Sequence, residues 1–253
     1  MSGPVVVEVP TGTAARAVFT TRAGGSSTGA LAALNLSADR GDDDAVVRGN
    51  RTALCAALGI DPAGVAMARQ VHGAGVREVG EGDDAGRFTG ALRDWPASDA
   101  LVTRVPGRAL MVLGADCLPV LLWRRDGEGV AAAHAGWRGL VAGVVEGAVD
   151  ALGTPGRTGA AIGPGIGPCC YPVSDEVRRR FADRFGAAVV RGDAVDLAAA
   201  ARAALVAAGV DAAAVTTVDA CTSCDAARFY SHRRDGEAAG RHAGVVWATG
   251  EAA

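Results

Sequence analysis

Short apolar runs along the chain limit the fold more than any other sequence feature. Each run has the length of one β-strand and is rich in Val, Leu, Ile or Ala. They predict strands over residues 5–9, 17–21, 100–103, 109–113, 120–123, 130–133, 160–162, 215–218 and 245–247. Longer segments with helical periodicity or helix-start residues predict helices over 44–58, 140–152, 174–185 and 196–208. Because these elements are interleaved without strict alternation, we predict an α+β (mixed α/β) fold with mixed β-sheets flanked by helices. No internal repeat or low-complexity linker divides the chain, so we predict a single domain over residues 1–253.

Charge and hydropathy exclude several classes of partner. The net charge of the 253 residues is −3 and no basic block occurs, so nothing indicates binding to nucleic acid or to an anionic membrane. No run of about 18 apolar residues and no N-terminal targeting pattern is present. We therefore expect a cytoplasmic protein. Nothing in the sequence demands an assembly, so we expect a monomer. All 25 basic residues are arginine, which excludes a P-loop and Schiff-base chemistry because both need lysine.

Three short motifs rich in small residues carry the candidate chemistry. They contain His72 (Gln-Val-His-Gly), Cys117 (Ala-Asp-Cys-Leu-Pro) and His134 (His-Ala-Gly-Trp-Arg-Gly). Cys117 and His134 follow predicted strands, and His72 follows the segment 65–69, so we expect all three at strand ends, where a rigid element fixes the side chain and a loop leaves room for a ligand. One thiolate with two imidazoles is the ligand set of a catalytic zinc site that keeps a position open. The same residues also suit a metal-free pair of Cys117 as nucleophile and a histidine as base, or simple core packing.

The other cysteines and a further histidine give weaker signals. Cys221 and Cys224 have the Cys-x-x-Cys spacing of half a structural zinc site or of a redox pair. No second Cys-x-x-Cys occurs, so we interpret them as ordinary reduced thiols. The adjacent Cys169 and Cys170 lie in a turn rich in Gly and Pro, which we expect to line the substrate pocket. His242 is predicted to lie at the surface.

Taken together and in order, the motifs resemble those of the laccase-domain family. The additional segments that carry this resemblance are 20–26, 34–36, 49–51, 163–171 and 229–236, and the motifs span nearly the whole chain. Members of this family are variously called polyphenol oxidase, peptidoglycan editing factor or purine nucleoside phosphorylase. The resemblance implies that His72, Cys117 and His134 bind one catalytic Zn²⁺. It also implies a fold related to that of cysteine-dependent deamidating toxins.

The family resemblance implies an activity on purine nucleosides. The expected reaction is phosphorolysis of adenosine, inosine or methylthioadenosine to the free base and pentose 1-phosphate, with adenosine deamination alongside. A metal-free Cys-His hydrolase or amidase acting on a peptidoglycan precursor is the first alternative. A copper-dependent polyphenol oxidase is the second, but four histidines cannot build the trinuclear copper cluster of a multicopper oxidase. We expect any Cu²⁺ bound by the two histidines and the cysteine to be adventitious.

Substrate contacts are predicted from the same motifs. Arginines are the only fixed cations available to bind phosphate in a fork geometry. The predicted substrate-binding residues are Arg22, Asn35, Gln70, Arg138, Ser231 and Arg233. Asp116, next to Cys117, is the candidate carboxylate that would move protons or support the metal site through a hydrogen bond.

Overall fold

Thirteen strands and six helices lie within residues 3–90 and 93–249, the part of the chain that the computed structural model describes. The strands are β1 Val6–Val9, β2 Ala15–Thr20, β3 Val65–Ala66, β4 Val76–Glu78, β5 Ala100–Thr103, β6 Ala109–Gly114, β7 Leu118–Arg124, β8 Val130–Ala135, β9 Thr158–Ile162, β10 Val190–Arg191, β11 Ala194–Val195, β12 Val215–Thr217 and β13 His242–Ala248. The helices are α1 Asp44–Leu58, α2 Trp137–Ala142, α3 Val144–Leu152, α4 Asp175–Phe185, α5 Leu197–Ala207 and α6 His232–Asp235. All nine predicted strands are confirmed; the four strands without a sequence signal have two or three residues each.

The larger strands form two mixed sheets. The first has the order β1-β2-β13-β6-β3, with β3 parallel to β6 and every other pair antiparallel. The second has the order β12-β9-β7-β8-β5-β4, with parallel pairs only at its two edges. A separate hairpin joins β10 to β11. The predicted fold class, mixed sheets flanked by helices, is therefore confirmed.

The two sheets pack face to face, and helices cover their outer faces. The layer between the sheets contains Phe19 and Val246 from the first sheet and Leu121 and Ala132 from the second. Helix α1 packs on the outer face of the first sheet, while α2, α3, α4 and α5 pack on the second. Strand β7 is therefore buried on both faces, which explains why its sequence is a continuous apolar run without polar alternation.

Helix boundaries follow local capping chemistry. The side chains of Asp43, Ser174 and Asp196 each accept a hydrogen bond from a backbone N–H in the first turn of α1, α4 and α5. The single helix predicted over 140–152 is wrong in one respect. The helix is interrupted at Gly143, which has φ of 91° and separates α2 from α3. The apolar pattern continues across this interruption. Among the described residues, no helix is both long and apolar enough to cross a membrane.

Candidate metal centre

The side chains of His72, Cys117 and His134 converge in space. Cys117 lies between β6 and β7, His134 lies in β8, and His72 lies in the loop after β3. The register that pairs Pro119 with His134 brings the start of β7 beside the end of β8. The candidate ligand atoms of the three side chains lie within 4.8 Å of one another. Metal–ligand bonds to sulfur and nitrogen are about 2.0–2.3 Å long, so the three donor atoms are grouped closely enough to be candidate ligands of one ion.

A glycine makes this convergence possible. A Cβ atom at Gly136 would lie only 2.7 Å from Cys117 Sγ and 3.4 Å from the Cδ2 atom of His72. Any larger residue would have to displace the thiol or the ring. The imidazole rings of His72 and His134 meet edge to face, with their centroids 4.9 Å apart. The sequence thus keeps a space next to the three donor atoms, and the donor set fits a thiophilic divalent ion.

Asp99 organises the two histidines, and sequence reasoning missed it. Its fully buried carboxylate lies 2.9 Å from Nδ1 of His134, and it accepts hydrogen bonds from the backbone N–H groups of His72 (2.9 Å) and Gly73 (2.6 Å). A carboxylate at Nδ1 fixes the proton there and leaves Nε2 free as a ligand, the usual arrangement behind metal-binding histidines. The available signal was an aspartate directly before the apolar run of β5.

Charge within the centre favours a thiolate. Burial raises the pKa of the Cys117 thiol, but the charges of and hydrogen bonds to His134 and His72 outweigh it and lower the pKa from 9.0 to about 6. Burial lowers the pKa of His134, but the Cys117 thiolate and Asp99 raise it to about 9. The metal-free centre at neutral pH therefore holds a thiolate beside an imidazolium. Binding of a metal ion would release the proton from His134 Nε2.

Asp116 lines the same cavity as the three ligands and joins two parts of the chain. Its backbone has φ of 90°, and its carboxylate accepts hydrogen bonds from the Thr222 hydroxyl (2.7 Å) and from the backbone N–H of Arg233 (2.6 Å). These contacts fix the segment that carries Arg233 next to the cavity. Of the two roles considered for Asp116, they favour positioning through hydrogen bonds over proton transfer.

The three ligands line a cavity of about 920 Å³. Of the six predicted substrate-binding residues, Gln70, Arg138 and Arg233 also line it. The amide group of Gln70 is occupied by the backbone of Leu113, to which it donates and from which it accepts a hydrogen bond of 2.8 Å. Among residues not predicted to bind substrate, Tyr171 and Arg241 also contribute to the cavity wall.

The structure places the other three predicted substrate-binding residues outside the cavity lining. The Arg22 guanidinium donates to backbone carbonyls, including that of Ala32 (2.7 Å), and stacks on Tyr230. Asn35 is buried and bonded to the backbone of Ser37. Ser231 caps α6. Backbone hydrogen bonding thus explains these three residues. The predicted arginines that remain as candidate phosphate contacts are Arg138 and Arg233, which line the cavity.

His242 corrects a sequence-based prediction. It was expected at the surface, but it lies in β13 with its side chain fully buried and its ring next to those of Phe229 and Tyr230. Neither ring nitrogen has a hydrogen-bond partner within the described part of the chain. Burial, together with the charge of Arg241, lowers its pKa from 6.5 to about 3. The position is buried because β13 lies in the middle of the first sheet.

We predict that Asp99→Asn weakens metal binding about 10- to 100-fold, as expected for the partner of a metal-binding histidine. Both carboxylate oxygens of Asp99 have hydrogen-bond partners, whereas an asparagine amide has only one acceptor oxygen. The substitution also removes the negative charge beside His134. Competition with a chromophoric chelator measures the affinity. The control is Asp94→Asn, which changes an exposed carboxylate of the same cavity. Equal affinities in both variants would contradict the role given to Asp99.

Comparisons with known proteins identify the family. Residues 16–249 match the family described as multi-copper polyphenol oxidoreductase laccase, and the chain belongs to that family. A purine nucleoside phosphorylase of Pseudomonas aeruginosa is 42% identical over 241 residues, covering 92% of this chain and 93% of that protein. The purine nucleoside phosphorylase YfiH of Escherichia coli is 37% identical over 254 residues, covering 98% and 99%.

Solved structures show the same fold. The crystal structure of YlmD from Geobacillus stearothermophilus matches with a TM-score of 0.87 and 33% sequence identity, covering 95% of this chain and 94% of that one. The Neisseria meningitidis protein NMB0706 matches with a TM-score of 0.84 and 34% identity, covering 98% and 100%. The predicted membership of the laccase-domain family is therefore confirmed.

Proposed function

We propose that this protein is a zinc-dependent purine nucleoside phosphorylase that also deaminates adenosine. The observation that carries the proposal is the convergence of His72, Cys117 and His134 within 4.8 Å on the wall of the large cavity. A volume of about 920 Å³ lies in the range of small-molecule sites and can hold a nucleoside with a phosphate ion. The names of the relatives from P. aeruginosa and E. coli support the substrate class.

Zinc is the proposed ion because the donor set is one thiolate and two imidazoles. His72, Cys117 and His134 would hold it, and Asp99 would keep Nε2 of His134 turned toward it. A bound zinc ion would supply a Lewis acid of formal charge near +1 and lower the pKa of a coordinated water molecule. The family description names copper, but the chain has only four histidines, of which His242 is buried away from the cavity lining.

Arg138 is the proposed primary phosphate contact. It is exposed at the start of α2, its guanidinium stacks 4.5 Å from the Trp137 ring, and it lines the cavity with the metal ligands. Within the described residues it forms no ion pair, so its fork of N–H groups is available to an anion. Arg233 is the second contact, held against the ring of Tyr171 and fixed at its backbone by Asp116.

The nucleoside would lie between the phosphate and the apolar part of the cavity. Phosphorolysis forms a bond from a phosphate oxygen to the anomeric carbon as the bond to the purine nitrogen breaks, and its transition state is a cationic sugar. The arginines orient the phosphate toward that carbon. Met67, Trp95 and Leu113 give the cavity an apolar surface that suits a purine ring.

The decisive experiment separates the two activities. Purified protein with adenosine and phosphate should form adenine and pentose 1-phosphate, and with adenosine alone it should form inosine.

Arg138→Ala should raise the KM for phosphate about tenfold or more, the loss expected for one charged hydrogen bond. The matched control is Arg179→Ala, an exposed arginine on α4 outside the cavity. If the unsubstituted protein formed neither adenine nor inosine, the proposed function would be wrong.

A metal-free cysteine hydrolase acting on a peptidoglycan precursor is the second candidate. The observation that favours it is the Cys117 thiolate beside the His134 imidazolium, which is also the pair used by cysteine nucleophiles. In metal-free protein, alkylation of Cys117 by iodoacetamide should have a midpoint near pH 6. Buried Cys55, whose pKa is raised by burial to about 12, is the internal control. Activity that survives removal of all metal and is lost on alkylation of Cys117 would favour this candidate.

A further inference from the structure

Four other thiols form a second cluster, remote in sequence from the first site. Cys169 and Cys170 lie in the turn Pro168–Cys170 after β9, and Cys221 and Cys224 lie in the loop after β12. Strands β9 and β12 are parallel neighbours, so their carboxyl ends meet at the same edge of the sheet. The parallel pairing therefore brings two halves of a ligand set together from positions about fifty residues apart.

The sulfur spacing fits one tetrahedral ion. The four Sγ atoms all lie within 4.8 Å of one another, and Cys224 Sγ lies 3.6 Å from Cys169 Sγ and 3.4 Å from Cys170 Sγ. Zn–S bonds of about 2.3 Å in a tetrahedron put the sulfur atoms about 3.8 Å apart. All four thiols are free, so no bond between sulfurs occupies the cluster.

The backbone around the cluster is shaped for thiolates. The N–H of Gly167 donates to Cys221 Sγ at 3.2 Å, a contact that stabilises a negatively charged sulfur. A Cβ atom at Gly167 would lie 3.3 Å from Cys169 Sγ and 3.2 Å from Cys221 Cβ, closer than packed atoms normally come, so a glycine there lets the two loops approach. Arg234, which also pairs with Asp235, donates to the carbonyls of Thr222 and Ser223 and so fixes the loop that carries Cys221 and Cys224.

We propose that Cys169, Cys170, Cys221 and Cys224 bind a second Zn²⁺ ion in a structural site. Each thiol loses its proton to solvent on binding, and all four positions of the ion are filled, so this site does no chemistry on substrate. Its effect is to join the loop after β9 to the loop after β12. The first loop carries Tyr171 on the cavity wall, and the second carries Thr222, which holds Asp116. The proposal is independent of the activity proposed above.

Metal counting in the full chain tests the site. Cys117→Ala removes a ligand of the first centre, so this variant, reduced, loaded with Zn²⁺ and desalted, should retain one zinc per chain. Adding Cys221→Ser and Cys224→Ser should remove that zinc, while adding Ser223→Ala, a matched change in the same loop, should leave it. Replacement of Zn²⁺ by Co²⁺ should give the intense visible absorption of tetrahedral thiolate-bound cobalt. No zinc in the Cys117→Ala protein, or equal zinc in all three proteins, would overturn the proposal.

A second measurement on the unsubstituted chain does not depend on how the variants fold. Mass spectrometry after iodoacetamide treatment should show the four thiols protected as a set with Zn²⁺ and modified as a set after a chelator. Exposed Cys169 and Cys224 reacting equally fast in both states would overturn the site. A protein mass lower by two hydrogens, restored by reductant without any metal, would replace the site with a disulfide.

Discussion

Cys117→Ala and His134→Ala should each abolish phosphorolysis and remove one equivalent of bound zinc, while thermal unfolding remains cooperative. Each variant leaves two of three protein ligands, and two ligands hold zinc poorly. The fold should persist because Asp99, which loses one partner in His134→Ala, still accepts from the backbone N–H groups of His72 and Gly73. Elemental analysis gives the metal count, and circular dichroism during heating gives the unfolding transition.

His232→Ala is the matched control for the ligand variants. His232 lines the same cavity but is not one of the three converging side chains, so its loss should leave the zinc count unchanged. Full metal content in both Cys117→Ala and His134→Ala would mean that the ligands are misassigned. Full activity in either variant, with its zinc lost, would instead separate the reaction from the metal.

His242→Leu should flatten the dependence of stability on pH below neutrality. The pKa of His242 is about 3 in the folded chain, against the ordinary histidine value of 6.5 in the unfolded chain. Between these values the unfolded chain binds the extra proton, so stability falls as pH falls from 6.5 toward 3 and is unaffected by this group above 6.5. The slope is about 1.4 kcal/mol per pH unit, on the order of 5 kcal/mol over the window. Leucine removes this contribution.

Urea unfolding from pH 7.5 to pH 4 measures the effect as the difference between the unsubstituted chain and the variant. His232→Leu is the control, because it removes a histidine whose side chain is 49% exposed instead of one in the interior. The difference in unfolding free energy between His242→Leu and the unsubstituted chain should grow steadily as the solution is acidified. A constant difference would show that His242 is accessible to protons in the folded protein.

The fold was largely predictable because its signals are local. Apolar runs such as 120–123 and 130–133 mark strands buried on both faces, and Ser174 marks the start of α4. The break at Gly143 was not predictable, since the apolar pattern of α2 continues into α3 and glycine is only one residue within it. The shortest strands carry too few residues to show any periodicity.

The sequence predicted the three candidate ligands, but not the residue that hydrogen-bonds to them. His72, Cys117 and His134 lie in distinctive motifs, but the part played by Asp99 depends on how β5 pairs with β8, which no local pattern encodes. The same reason explains His242, because its burial depends on the pairing of β13 with β2 and β6. The two cysteine pairs meet only through the parallel pairing of β9 and β12.

The position of β13 has a consequence for biosynthesis. This strand pairs with β2 on one side and β6 on the other. Until β13 is in place, the first sheet therefore consists of two separate pairs, β1-β2 and β6-β3. A ribosome must therefore translate to residue 248 before either neighbour finds its partner. Until then, β2 and β6 each have an edge without its native neighbour, the kind of open edge that favours aggregation of partly folded chains.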